Sequence, residues 1–250
     1  MNLVQLLLVA AAGVAAGVLN SIAGSGSLIT FPTLLAVGLP PLQANVSNSI
    51  GLIPGSLSGA YGYREELRGQ ARRVVVLSLP MCLGAAVGAL LLLRLPPRVF
   101  EVVVPLLVAG SSALVVAQPA VSRRLNRTDG SPTQLGFGLF LVGVYAGYFG
   151  AAQGIMLLAI LGFFIRESLQ RTNAFKSLIA GIAACVAGVI FTLVAPVSWP
   201  HVLVLAVASL VGGRLGAVIA RRIPDRPLRL GIGAFGLAVA LRLAFAYHLI

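Results

Sequence analysis

Apolar residues run through this chain in long unbroken stretches, and polar residues collect in the short gaps between them. Eight stretches are long enough to read as helices crossing the ~30 Å hydrocarbon layer of a bilayer, at about 3–22, 44–63, 74–93, 99–117, 135–150, 173–195, 200–220 and 228–248. They do not alternate in polarity as barrel strands would. Helices satisfy their own backbone groups segment by segment, which lipid demands. Two shorter apolar pieces, about 27–37 and 154–165, are too short for an ordinary crossing and suit half-helices. Each follows a run of small residues, Gly24-Ser25-Gly26-Ser27 in one case and Gly150-Ala151-Ala152-Gln153-Gly154 in the other. Glycine-interrupted hydrophobic segments at corresponding points of two halves point to a transporter binding site.

Counting the short pieces as legs gives five per half, and an odd number makes the second half enter from the opposite side. With both termini outside, the cytoplasmic loops hold fourteen basic residues: Arg64, Arg68, Arg72, Arg73, Arg123, Arg124, Arg127, Arg166, Arg171, Lys176, Arg221, Arg222, Arg226 and Arg229. The outer loops hold only Arg94 and Arg98. This is the bias of the positive-inside rule, and it requires the second short leg to reverse the chain. The halves also align without gaps at an offset of 128, pairing Gly26 with Gly154, Asn45 with Asn173, Ser49 with Ser177 and Asn48 with Lys176. The expected fold is an all-α polytopic membrane protein of two inverted repeats, with eight long helices plus two half-helices after the glycine-rich breaks. Residues 1–117 form the first repeat, 118–134 a cytoplasmic linker, and 135–250 the second repeat.

Composition agrees. The 250 residues are 58% hydrophobic and 10% charged, against ~25% charged in soluble domains. The net charge of +12 would suggest nucleic acid in a soluble protein. Here it lies in loops between spans, without a basic face or aromatic platform, so nucleic acid is excluded as a partner. The start, Met1–Leu19, has no basic n-region and leads into more membrane sequence, so it reads as a first span. Cys82 and Cys185 show neither metal spacing nor a redox motif. No nucleophile–base set, metal cluster or phosphate loop is present, so neither an enzyme nor a cofactor is expected.

The chemistry that remains suits an anion. Asn45, Asn48 and Ser49 share one helical face by their i, i+3, i+4 spacing, and Asn173, Lys176 and Ser177 repeat it beside Thr172. Such faces turn toward a protein interior or a water cavity, where they either bind substrate or glue helices together. The breaks offer backbone N–H groups at half-helix starts, with Ser25, Ser27 and Gln153 as further donors. Lys176 is either an orienting loop cation or a counter-charge for substrate. Arg214 is a possible accessory charge, and it or Arg242 could equally snorkel to the interface. His201 heads an outer helix start and reads as an interfacial histidine. No Asp or Glu lies in a span interior, Glu101 standing near the outer start of its span, which argues against a cation pathway.

The ordered set Ala23-Gly24-Ser25-Gly26-Ser27, Pro32, Gly38-Leu39-Pro40-Pro41 and Ala44 resembles the glycine-rich and G-x-P-P-x-x-A motifs of the TauE/SafE family of sulfite and organosulfonate exporters. Gly147-Tyr148-Phe149-Gly150 through Gly154 resembles its paired G-x-x-G motif, and Arg221-Arg222-Ile223-Pro224 is also similar. The likeness covers nearly the whole chain. It departs at Ser25 and Ser27, where glycine is usual, at Val46, and at Ala151-Ala152-Gln153. The resemblance implies transport of a small sulfur-containing anion such as sulfite or sulfoacetate, and it is compatible with a homodimer. The residues by themselves indicate a small anion. The expected protein is an inner-membrane secondary transporter working by alternating access. A passive anion channel and a non-transporting membrane scaffold are the alternatives. The expected substrate-binding residues are Gly24, Ser25, Gly26, Ser27, Asn45, Asn48, Ser49, Gln153, Gly154, Asn173, Lys176 and Ser177, with no metal ligand among them.

Overall fold

The computed structural model describes residues 2–22, 24–124, 131–165, 167–219 and 225–246. They form helices α1 (Leu3–Ile22), α2 (Ser27–Ala36), α3 (Pro41–Gly51), α4 (Ile53–Gly62), α5 (Ala71–Arg94), α6 (Pro97–Arg124), α7 (Pro132–Tyr148), α8 (Gln153–Phe164), α9 (Leu169–Val194), α10 (Trp199–Ile219) and α11 (Asp225–Ala246). No strand occurs among the described residues. The basic positions Arg127, Arg166, Arg221 and Arg222 lie outside the described residues.

Five helices are long and apolar enough to cross a membrane, within α1, α5, α6, α9 and α10. The remaining expected spans are realised differently. α7 has 17 residues, and the described apolar part of α11 runs Leu230–Ala246. The stretch expected as one span over 44–63 is instead two helices, α3 and α4, that meet at Leu52. Leu52 N–H still donates to Asn48 O at 3.1 Å and Ser56 N–H to Leu52 O at 3.1 Å. Pro54 has no N–H to offer to Ile50, so the hydrogen-bond ladder is interrupted where α3 meets α4. The expected linker at 118–134 is in part helical, because α6 continues to Arg124 and α7 begins at Pro132. Ser131 caps α7: its N–H donates to Gln134 Oε1 at 3.2 Å, and its hydroxyl accepts from Thr133 N–H at 3.3 Å.

The short helices α2 and α8 follow the two breaks, as their lengths suggested. Gly24 (φ +72°) turns the chain out of α1, while Gly150 (φ +75°) and Ala152 (φ +58°) do so between α7 and α8. The end of α2 explains the G-x-P-P segment. Gly38 (φ +99°) closes the helix, with Leu39 N–H on Leu34 O at 3.1 Å, and Pro41 then opens α3 at a position that needs no N–H.

Four glycine pairs at i, i+4 spacing bring long helices into backbone contact. Gly13 and Gly17 of α1 meet Leu205–Gly213 of α10, and Gly212 and Gly216 of α10 press on Val14 and Val18 of α1. In the same manner Gly84 and Gly88 of α5 abut Phe140 and Val144 of α7, while Gly143 and Gly147 of α7 abut Met81 and Ala85 of α5. Lipid tails are as apolar as leucine, so close packing of small residues is what holds such helices together. Large apolar side chains face outward instead: Leu106 is 71% exposed, Val207 66% and Val75 67%. An apolar exterior of this extent is a lipid-facing surface, so the chain is a multi-pass membrane protein.

Candidate functional site

The two breaks cross each other. Gly154 N–H donates to Gly24 O at 3.3 Å. A methyl group on Gly24 would come within 2.5 Å of Gly154 Cα, so the two backbones touch without room for a side chain. Each break is held from its own side. Asn20 Oδ1 accepts from Gly26 N–H at 2.8 Å. In the other break the Tyr145 hydroxyl donates to Ala151 O at 2.6 Å, and Ser111 Oγ reaches the same carbonyl at 3.2 Å. Phe31, Phe100 and Phe149 pack edge-on or tilted beneath them, with Phe31 and Phe149 centroids 5.4 Å apart.

Beside this crossing lies a cavity of about 60 Å³. Its walls come from the ends of α1, α3 and α7, both breaks, α4 and the middle of α9 from Lys176 to Ala187. Of the expected binding residues, Gly24, Ser27, Ser49, Gln153, Gly154, Lys176 and Ser177 line it. Ser25 is fully buried next to it and its Oγ has no partner. Gly26 is occupied with Asn20.

The two asparagine-bearing faces divide. Asn45 donates from Nδ2 to Tyr148 O at 2.9 Å, tying α3 to the end of α7, while Asn48 accepts from the Thr30 hydroxyl. Neither lines the cavity, nor does Asn173, whose Oδ1 is buried without a partner. Arg214 is exposed on α10 and outside the cavity wall. The sequence reading passed over Asn20, Ser21 and Ser56, which also line it. Asn20 carried a signal, a lone amide one turn before a break.

Lys176 is the residue whose position changes most. Expected either in a loop or at a helix start, it sits seven residues inside α9, 1% exposed, and its Nζ has no hydrogen-bond partner among the described residues. The nearby carboxylate is engaged elsewhere. Glu167, in the α8–α9 loop, binds Arg73 at 2.6 Å and Arg171 at 3.0 Å. Burial pushes the Glu167 carboxyl up, but the hydrogen bonds and charges of the two guanidiniums outweigh it and hold the group below its usual range. A buried ammonium without a counter-charge is costly to keep and marks a functional place in a membrane protein. No cluster of His, Cys, Asp or Glu able to hold a metal occurs among the described residues.

The profile of the family described as Sulfite exporter TauE/SafE matches residues 9–243. The chain belongs to the TauE/SafE family. It is 29% identical over 214 residues to a "Probable membrane transporter protein" of Haemophilus influenzae, covering 82% of this chain and 81% of the relative. It is 28% identical over 209 residues to the "Probable membrane transporter protein YfcA" of Escherichia coli K12, covering 81% and 76%. To the "Probable membrane transporter protein ORF9" of a Sinorhizobium species it is 27% identical over 232 residues, covering 91% and 88%. Family and relatives indicate a TauE/SafE membrane transporter rather than an enzyme. The family motifs thus acquire physical roles here, the glycine runs as the backbone crossing and G-x-P-P as the α2–α3 turn.

Proposed function

We propose that this chain is a secondary transporter that moves a small oxyanion or organosulfonate, of the sulfite or sulfoacetate kind, across the inner membrane. The observation that carries the proposal is Lys176, a buried ammonium that has no hydrogen-bond partner and lines a cavity with no carboxylate on its wall, among the described residues. An anion there completes the charge pair, and the hydroxyls of Ser27, Ser49 and Ser177 with the Gln153 amide supply hydrogen bonds to its oxygens. The N–H groups of Gly26, Gly154 and Ile155 already have acceptors. The half-helix starts therefore act on the anion through their dipoles, and side chains make the direct contacts.

Alternating access between two inverted halves is supported by the cavity wall itself. Ser49, Leu52, Gly55, Ser56 and Gly59 line it from α3 and α4, and Ser177, Ala180, Ala183, Ala184 and Ala187 line it from α9. These are the same positions at the offset of 128. The glycine-packed pairs follow the same relation, because α1 on α10 corresponds to α7 on α5, and Gly84 and Gly88 fall on Gly212 and Gly216. A cavity on such an axis can be exposed to either side by exchanging the arrangements of the halves. The thirteen arginines assigned to the cytoplasmic side, against Arg94 and Arg98 on the other, support both termini outside.

Counterflow of radiolabelled sulfite in proteoliposomes tests this reading. Saturable exchange is expected, and Lys176→Ala should lower it at least ~10-fold while the protein stays folded, because truncating one partner of a buried charge pair costs about 2–5 kcal/mol. Undiminished exchange in the variant would remove Lys176 from the site. An ohmic current in place of saturable exchange would make the protein a channel.

A further inference from the structure

We infer that the cavity selects its anion by charge, admitting monoanions and rejecting dianions, with Lys176 as the residue that sets this selectivity. The inference rests on the transport reading above and narrows its substrate. Among the described residues lining the cavity, Lys176 is the only ionisable one; the other polar groups, among them Asn20, Ser27, Gln153 and Ser177, are neutral. The cavity therefore offers one positive charge. A monoanion neutralises it, whereas a dianion leaves one negative charge in a space walled by apolar helices, where an unpaired charge is strongly disfavoured.

No second cation lines the cavity among the described residues. Arg73 and Arg171, at the starts of α5 and α9, both bind Glu167, and the Arg73 guanidinium also lies over the Phe175 ring at 5.4 Å. Internal symmetry supplies none either. The residue at the offset of 128 from Lys176 is Asn48, which is neutral, buried against Thr30 and absent from the cavity wall. One half contributes the charge, and the other contributes only neutral groups, the Asn20 amide and serine hydroxyls. Within the proposed class this favours hydrogensulfite or a simple sulfonate over sulfoacetate, which carries a sulfonate and a carboxylate together.

Methanesulfonate and sulfate separate charge from size, since they share a tetrahedral sulfur and differ by a methyl group in place of a charged oxygen. Uptake of each, labelled, into proteoliposomes at pH 7 reads the preference. The expected result is methanesulfonate uptake at least ~10-fold more efficient than that of sulfate, a difference of about 1.4 kcal/mol. Lys176→Arg should keep the preference, and Lys176→Gln should lose methanesulfonate uptake. Ser56→Lys adds a second cation at a lining position whose hydroxyl bonds only back to Leu52 O of its own helix, and it should shift the ratio toward sulfate. Equal uptake of both anions by the unaltered protein overturns the inference, whether or not the variants fold. So does a folded Ser56→Lys protein with an unchanged ratio. If sulfite exchanges saturably but charge makes no difference, only this inference falls. If no anion exchanges, the transport reading falls with it.

Discussion

The contact between Gly24 and Gly154 places a strict demand on two residues, because each faces backbone that cannot rotate aside. A methyl group on Gly154 would stand 2.6 Å from Gly24 Cα, and Gly24 in addition holds φ at +72°. Gly154→Ala is expected to destabilise the protein by about 1–3 kcal/mol through overpacking, seen as a lower melting temperature in detergent. Gly136→Ala, where an added methyl meets nothing within 4 Å, should leave the melting temperature unchanged or slightly raised, since alanine is the better helix former. Equal effects of the two substitutions would show that the breaks do not touch. The need for glycine at the breaks was legible in the sequence. Their mutual contact was not, because the local pattern of each break says nothing about a partner so distant in the chain. The polar faces were legible only in part for a related reason. Spacing correctly put Asn45, Asn48 and Ser49 on one side of α3, but a helix packed on several neighbours divides that side among them. Ser49 turns to the cavity, Asn48 to Thr30 and Asn45 to the Tyr148 carbonyl.

Between elements, the start of α9 is anchored twice. Ser168 caps it by accepting from Arg171 N–H at 3.2 Å, and Glu167 joins it to the start of α5 through Arg73 and Arg171. This anchor fixes the first turns of the helix that carries Lys176. In the sequence the basic residues read as an orientation signal, with nothing to say that one carboxylate gathers two of them, because Arg73 and Glu167 approach only in the folded chain. Glu167 titrates below its ordinary value of 4.5. Its contribution is therefore present in full above that value and is lost as the pH falls through the lower, folded one. Both arginine side chains are 40% exposed, so solvent screening limits the contribution to about 1 kcal/mol or less. The melting temperature of the unaltered protein should exceed that of Glu167→Gln by a constant margin from pH 7 to about 5, and the margin should shrink in more acid solution. A margin that persists unchanged to pH 3 would detach the stabilisation from the ionised carboxylate. The interruption between α3 and α4 belongs to the same scale. Pro54 accounts for it in a stretch the sequence pattern predicted as one span, and α9, which has Ile182 at the position matching Pro54, runs through without a break.

At the scale of the whole molecule, the offset of 128 does more than identity suggests. Leu52, Gly55, Ser56 and Gly59 match Ala180, Ala183, Ala184 and Ala187 without one identical pair, yet the two sets face the same cavity. Most of these positions require only small size, which leaves a faint trace in an alignment and a clear one in the packing. If the halves are inverted, their first helices begin on opposite sides of the membrane, since five legs separate them. Asn2 and Thr133 stand near the starts of α1 and α7, and both are exposed. In a protein carrying Cys82→Ser and Cys185→Ser, a membrane-impermeant maleimide added to intact cells should label Asn2→Cys at once and Thr133→Cys only after permeabilisation. The basic loops predict that order, because the segment leading into α7 follows Arg123, Arg124 and Arg127 on the cytoplasmic side. Labelling of both from the same side would break the two-fold relation, and with it the account of a cavity exposed in turn to each face of the membrane.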